Sequence, residues 1–191
     1  MDPRRLVPIV ALGEGLLLAC ALAWAWWGGI PLRAGPIDRG VSWGIAAALV
    51  LGAVNRTFLT AQGNRWPGGA LRQVCRVIVR PLFEHVHAWH IAVVSVLAGL
   101  GEELLFRGIL QPLVSLPAAS LVFGAVHVGG RSFIGYGAWA ACIGAVLGWL
   151  SIATEGLIAP IVAHAVYDAL ALAYVRYGPA SVCDTRERAG G

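Results

Sequence analysis

The chain has 191 residues, of which 58% are hydrophobic and only 13% charged, against roughly 25% charged in ordinary soluble domains. A soluble domain of this size keeps most of its residues in touch with water and has no place for so much apolar surface. These figures exclude a soluble enzyme, a disordered tail and a disulfide-stapled miniature, and leave an all-α, polytopic integral membrane protein.

The net charge is +4 and every basic residue is an arginine. The arginines are scattered between apolar runs and not gathered on one face, so no nucleic-acid partner is expected. Cys20, Cys75, Cys142 and Cys183 lie far apart with no CxxC pair. They read as free, buried small hydrophobes and not as a disulfide framework.

In chain order, the first apolar run covers about 6–29 and holds Glu14. It resembles a signal peptide but continues through Trp24, Trp26 and Trp27, so it reads as a retained spanning helix. A second span covers about 41–60. Residues 70–88 then place Arg72, Arg76 and Arg80 four apart between apolar residues, a pattern for an amphipathic helix lying in the interface. Further spans are drawn at about 89–110, 113–129, 133–153 and 156–175, and the tail from Gly178 is polar and expected to fray. The expectation is about six transmembrane helices plus one interfacial helix. They fall into residues 1–88 (two spans and the basic helix), 89–177 (a four-helix core) and 178–191 (a polar tail).

Six spans put both termini on one side. Arg4, Arg5, the arginines of the 56–80 stretch, Arg131, Arg176, Arg186 and Arg188 all fall there, against Arg33 and Arg39 opposite. The positive-inside rule makes that side cytoplasmic, in what reads as a prokaryotic inner membrane. Gly144 and Gly148 form a GxxxG pair, a weak signal for close helix contact.

Ionisable groups at membrane depth cost on the order of 2.5–3.5 kcal/mol each, so a chain that keeps several is using them. Here they are Glu102, Glu103, Arg107, His127, His164 and Asp168, with Glu14 as an outlier. Glu103 and Arg107 are four apart and can pair on one helix face, whereas Glu102 is turned about 100° away. His164 and Asp168 share that spacing, so the aspartate can orient the imidazole through one ring nitrogen and leave the other free. Phe123 and His127 share it too. A base, two imidazoles and an orienting carboxylate make up the inventory of a water-activating hydrolase. HExxH, GxSxG and Walker motifs are absent from the sequence. No cofactor is expected, with a zinc site on Glu102, His127 and His164 as the second choice. The cluster His85, His87 and His90 reads as interfacial anchoring.

At these residues the sequence resembles the CPBP (Abi) family of CaaX-prenyl proteases and bacteriocin-processing proteins. That family is marked by EExxxR, FxxxH and HxxxN/D on successive membrane helices. Here the motifs stand as Glu102-Glu103-Leu104-Leu105-Phe106-Arg107, Phe123-Gly124-Ala125-Val126-His127 and His164-Ala165-Val166-Tyr167-Asp168. The resemblance covers about 90–175 and implies a glutamate-type intramembrane endopeptidase. It implies Glu102 as the general base, His127 as a holder of the attacking water and His164 with Asp168 on the oxyanion side. Glu103 and Arg107 are then the supporting pair. Because the third motif ends in aspartate, Asp168 is expected to orient a protonated His164, which then donates. The partners implied are the lipid bilayer and a membrane-anchored protein or peptide substrate, and the oligomeric state stays open. The rivals are a non-proteolytic immunity or scaffold protein of the same fold and a proton-coupled transporter. One geometric conflict stands: Glu102 falls in mid-membrane, whereas His127 falls near the inner end of its span.

Overall fold

The computed structural model describes residues 3–61 and 65–183, without the side chains of residues 3–6 and of Ala180. Among these, all regular structure is helical. We label the helices α1 (Pro3–Gly28), α2 (Ile37–Thr60), α3 (68–83), α4 (88–114), α5 (Leu116–Val126), α6 (Ile134–Ala153) and α7 (Ile158–Tyr177), with 3-10 turns at Arg131–Phe133 and Ala180–Cys183. Four described segments are long and apolar enough to cross a bilayer: Val7–Gly28, Ile37–Thr60, Arg131–Ala153 and Ile158–Tyr177. The chain is a polytopic membrane protein with an all-helical fold. Its outward faces carry Leu12, Leu16, Trp26, Leu121 and Val126, all exposed, as helices solvated by lipid require.

Two helices depart from α geometry. In α3 the segment Cys75–Val79 is a π-helix, and in α4 the segment Leu104–Leu110 is one. Each is followed within two residues by a proline, Pro81 and Pro112. Proline offers no N–H to the ladder and its ring displaces the carbonyl four residues back, which a wider turn accommodates.

The sixfold drawing needs a correction at the fourth span. The chain breaks at Ser115, whose φ of 94° ends α4, and Pro117 starts α5 in its first turn. The new helix has 11 residues, about 16 Å at 1.5 Å per residue, half of a ~30 Å hydrocarbon core. It therefore turns back only to mid-depth. Glu102 and His127 lie almost the same number of residues either side of the Ser115 turn, so they come level, which removes the depth conflict.

Helices α2 and α7 run side by side in one direction. Gly40 meets Ile158, Gly44 meets Val162, Gly52 meets Leu170 and Arg56 sits over Tyr174, all with one offset along the two helices. The loop before α2 joins the start of α7 through Leu157 N to Arg33 O (3.0 Å) and Ile158 N to Ala34 O (3.1 Å). The first ends of α2 and α7 thus share one face of the bundle with the end of α1. The ends of α2 and α7 share the other face with the start of α1.

The basic stripe on α3 is also partly corrected. Arg76 is exposed, but Arg72 is buried and donates to the carbonyls of Phe58, Leu59 and Ala61, closing the end of α2. Arg80 pairs with Glu84 at 3.5 Å. At the start of α4, His87 N donates to His90 Nδ1 at 3.3 Å, and His90 stacks on Trp89.

The cysteine reading is overturned for one pair. Cys75 and Cys183 form a disulfide, while Cys20 and Cys142 are free and exposed. The 3-10 turn Ala180–Cys183 folds back on α3 and buries Val182 and Cys183, so the tail is docked as far as residue 183. Nothing local signals a pairing across 108 residues. Arg186 and Arg188 lie outside the described residues, as do the side chains of Arg4 and Arg5.

A Cβ on Gly44 would lie 2.7 Å from Val162 Cβ and 2.8 Å from the backbone oxygen of Ala159, whereas one on Gly52 would meet only Leu170 Cδ1 at 3.6 Å. Gly44→Ala is expected to destabilise the protein by about 1–3 kcal/mol. Gly52→Ala is expected to be near neutral. Thermal unfolding of the two variants in the same detergent checks both.

Candidate functional site

The site begins with two glycines on α4. A Cβ on Gly99 would lie 3.0 Å from Ala165 Cβ and from Ile161 O, so this face of α4 touches α7. One turn on, Glu103 faces α7 as well. Gly101 meets the backbone of α1 at Glu14 and Leu18 instead. Glu102, turned about 100° from Glu103, therefore opens to a different neighbour.

Glu103 has no solvent exposure. His164 Nδ1 donates to its Oε1 at 2.7 Å, and Arg107 Nε lies 3.1 Å from its Oε2. Arg107 is buried too, and its NH2 group donates to Gly144 O at 3.1 Å. Its guanidinium carbon stands 4.6 Å from the centre of the Phe123 ring. One carboxylate and one guanidinium thus tie α4 to α7 and α6, with the α5 ring stacked on the cation.

A second rung repeats the arrangement. Gln111 Nε2 donates to Gly148 O at 3.1 Å, four residues along both helices. This explains the GxxxG pair: a Cβ on Gly144 would press on Phe123 at 3.1 Å, and one on Gly148 would collide with the Gln111 side chain. Gly144 makes room for the Phe123 ring of α5, and Gly148 for the Gln111 side chain of α4.

Phe123 is buried and its ring touches Phe106 (5.0 Å), His127 (4.7 Å) and His164 (6.0 Å) between centroids. Helix α5 ends at His127, whose N–H bonds Gly124 O at 3.1 Å and leaves Phe123 O unused by the backbone. His127 Nδ1 takes that carbonyl at 2.7 Å. A carbonyl only accepts, so Nδ1 carries the hydrogen and Nε2 of the neutral ring keeps its lone pair. Nε2 lies 3.9 Å from Glu102 Oε2. That separation is too long for a hydrogen bond, and one water beside the two atoms can reach both.

The third pair differs from expectation. His164 Nε2 lies 3.5 Å from Asp168 Oδ2, but Nδ1 is not free, since Glu103 holds it. The tight orienting partner of His164 is therefore Glu103, and Asp168 is the looser one. Both ring nitrogens face carboxylates, which suits a doubly protonated imidazole. Among the described residues no group of three or more His, Cys, Asp or Glu side chains is disposed to hold a metal ion.

The structure thus brings together all the residues singled out in the three motifs. Sequence reasoning missed that Glu103 bridges Arg107 and His164. It also missed the rungs to Gly144 and Gly148. The matching four-residue spacings of Arg107/Gln111 and Gly144/Gly148 were the available signal. It set Glu14 aside as well, and that residue lies against the site through Gly101.

Removing one partner of a buried ion pair strands the other, at about 3–5 kcal/mol. Arg107→Met is expected to destabilise by that amount. Combining it with Glu103→Gln is expected to cost less than the sum of the two single changes. Thermal unfolding of the three variants measures the coupling.

Residues 84–170 match the family model described as Rce1-like, type II CAAX prenyl endopeptidase Rce1-like. The uncharacterized protein YpbD of Bacillus subtilis (strain 168) is 35% identical over 92 residues, 46% of this chain and 47% of its own length. The chain spans about half the length of this curated relative. No solved structure matches. The three motifs all lie within the matched segment, so the family resemblance they carry and the Rce1-like family model fall on the same residues.

Proposed function

We propose that the chain is an intramembrane endopeptidase that cuts a membrane-associated protein or peptide with water activated by Glu102. The observation that carries this reading is the facing of Glu102 Oε2 and His127 Nε2 at 3.9 Å, with the His127 tautomer set by Phe123 O. Both facing atoms are acceptors, so a water between them gives one hydrogen to each and turns its oxygen lone pairs outward. Glu102 takes a proton as that oxygen attacks the scissile carbonyl carbon. The developing oxyanion is met by the His164 N–H beside Asp168. Glu103 and Arg107 touch no reacting atom. They hold His164 in position and are positioning residues.

The site is built from helices at bilayer depth, which favours a substrate already anchored in or on the membrane. For orientation, the face bearing Arg56, Arg65, Arg76, Arg80, Arg131 and Arg176 outweighs the face bearing Arg33 and Arg39, and we place it in the cytoplasm of a prokaryotic cell. The Cys75–Cys183 bridge lies on that same face and favours the opposite orientation, because disulfides persist in oxidising compartments. Maleimide labelling of engineered cysteines in intact cells decides between them. The arginine reading expects protection at position 76 and labelling at position 39 with an impermeant reagent, and the reverse pattern overturns it.

Glu102→Gln keeps the shape and removes the base. It is expected to lower cleavage by about 10²–10⁴-fold, the contribution of a positioned general base. Comparing the membrane proteomes of wild-type and Glu102→Gln strains should reveal at least one protein that stays full-length only in the variant. An inserted, stable Glu102→Gln protein with an unchanged membrane proteome would sink the endopeptidase reading in favour of a scaffold of the same fold.

A further inference from the structure

Glu14 stands in α1, outside the three motifs and outside the segment that matches the family. The α1 and α4 backbones touch beside it: a Cβ on Gly101 would lie 3.1 Å from Glu14 O and 3.3 Å from Leu18 N. Glu102 is the next residue. The Oε2 atom of Glu14 is covered from solvent and accepts no hydrogen bond, and the same holds for Oε2 of Glu102. An acid on the first helix thus stands against the turn of α4 that carries Glu102.

The charges around it do not balance if every acid is ionised. Arg107 and a doubly protonated His164 offset Glu103 and Asp168. The His127 tautomer set by Phe123 O leaves that ring neutral. Two carboxyl groups remain, Glu14 and Glu102, in an apolar setting with no cation left for both. Two such groups accommodate one negative charge and one proton between them, and acid–base catalysis needs one carboxylate and one carboxylic acid.

We propose that Glu14 is a further catalytic residue, the acid partner of Glu102, which protonates the departing amine. This rests on the endopeptidase reading. Glu102 accepts a proton from water while the water oxygen bonds to the scissile carbon. The C–N bond then breaks, and the nitrogen takes its proton from the Glu14 carboxyl. Proton transfer from Glu102 to Glu14 restores the pair. One water is consumed, and one carboxyl and one amine product are formed. The role also explains Gly101: any side chain there pushes α1, and Glu14 with it, away from Glu102.

Dicyclohexylcarbodiimide modifies protonated carboxyl groups in apolar surroundings, and it probes the pair without a substrate. Purified full-length protein in lipid nanodiscs is treated with it and the adducts are mapped by mass spectrometry. The expected result is one adduct per chain, on Glu14 or Glu102 and never both. Glu14 labelling should fall by about tenfold in Glu102→Gln, because the single charge of the pair then has only Glu14 to occupy. An unlabelled pair, or equal Glu14 labelling in the two proteins, overturns the proposal. In the membrane-proteome comparison, Glu14→Gln should slow processing by about 10²-fold at an unchanged melting temperature, and Glu14→Asp should restore part of the rate. Wild-type processing by Glu14→Gln also overturns it. If Glu102→Gln itself leaves every protein processed, it is the endopeptidase reading that fails, and the carbodiimide map still decides whether the two carboxyl groups share a proton.

Discussion

A carboxylate with no access to water must be paired or it does not stay charged, and Glu103 is such a group. Its two oxygens are committed to two different helices' worth of function. One accepts from His164 on α7, and the other is paired with Arg107, which reaches on to Gly144 on α6. The orientation of His164, the approach of α4 to α6 and the stacking of Phe123 on the guanidinium all follow from satisfying this one buried charge. Glu102 shares none of these bonds and faces His127 instead. The adjacent glutamates therefore meet different neighbours because a helix turns successive residues about 100° apart.

Lipid gives little apolar driving force for helices to associate, so close packing and polar contacts have to hold the bundle. Glycines provide the close packing. Gly40 and Gly44 let α2 lie against α7, Gly99 does the same for α4 and α7, and Gly101 for α4 and α1. The latter two are on the helix that carries both glutamates, within one turn of them. Gly144 and Gly148 have another use, clearing space on α6 for the Phe123 ring and for the Gln111 side chain, while their carbonyls accept from Arg107 and Gln111. The polar ladder and the small-residue packing are one device, since the carbonyls that accept these bonds belong to the glycines that make the room.

The half-length α5 matters for the same site. Its 11 residues bring the chain back from the Ser115 turn to the level of Glu102 and stop there, in mid-bundle. Its end leaves a carbonyl unused at Phe123, and the His127 ring takes it. The tautomer that points a lone pair at Glu102 is thus a consequence of where the helix stops. In a lipid setting an interrupted helix is tolerated where it lies against protein, and the interruption here falls at the candidate active site.

Composition and hydropathy determined the class of protein, because apolar area on this scale has only the bilayer to go to. Four of the six drawn spans, the order of the three motifs and the different facing of Glu102 and Glu103 were also legible, since they depend on local spacing along single helices. Whatever depends on which helices meet was not. The Glu103–His164 bond joins residues 61 apart, the Arg107–Gly144 bond residues 37 apart and the Cys75–Cys183 bridge residues 108 apart. Arg72 looked like part of a basic stripe in the membrane interface, and the tertiary structure turned it inward to close α2. Glu14 looked like an outlier, and packing through Gly101 set its backbone against the residue that precedes Glu102. A sequence states which side chains share a face of one helix. Which face meets which is decided by the joint satisfaction of buried charge and close contact, and only the folded bundle shows that solution.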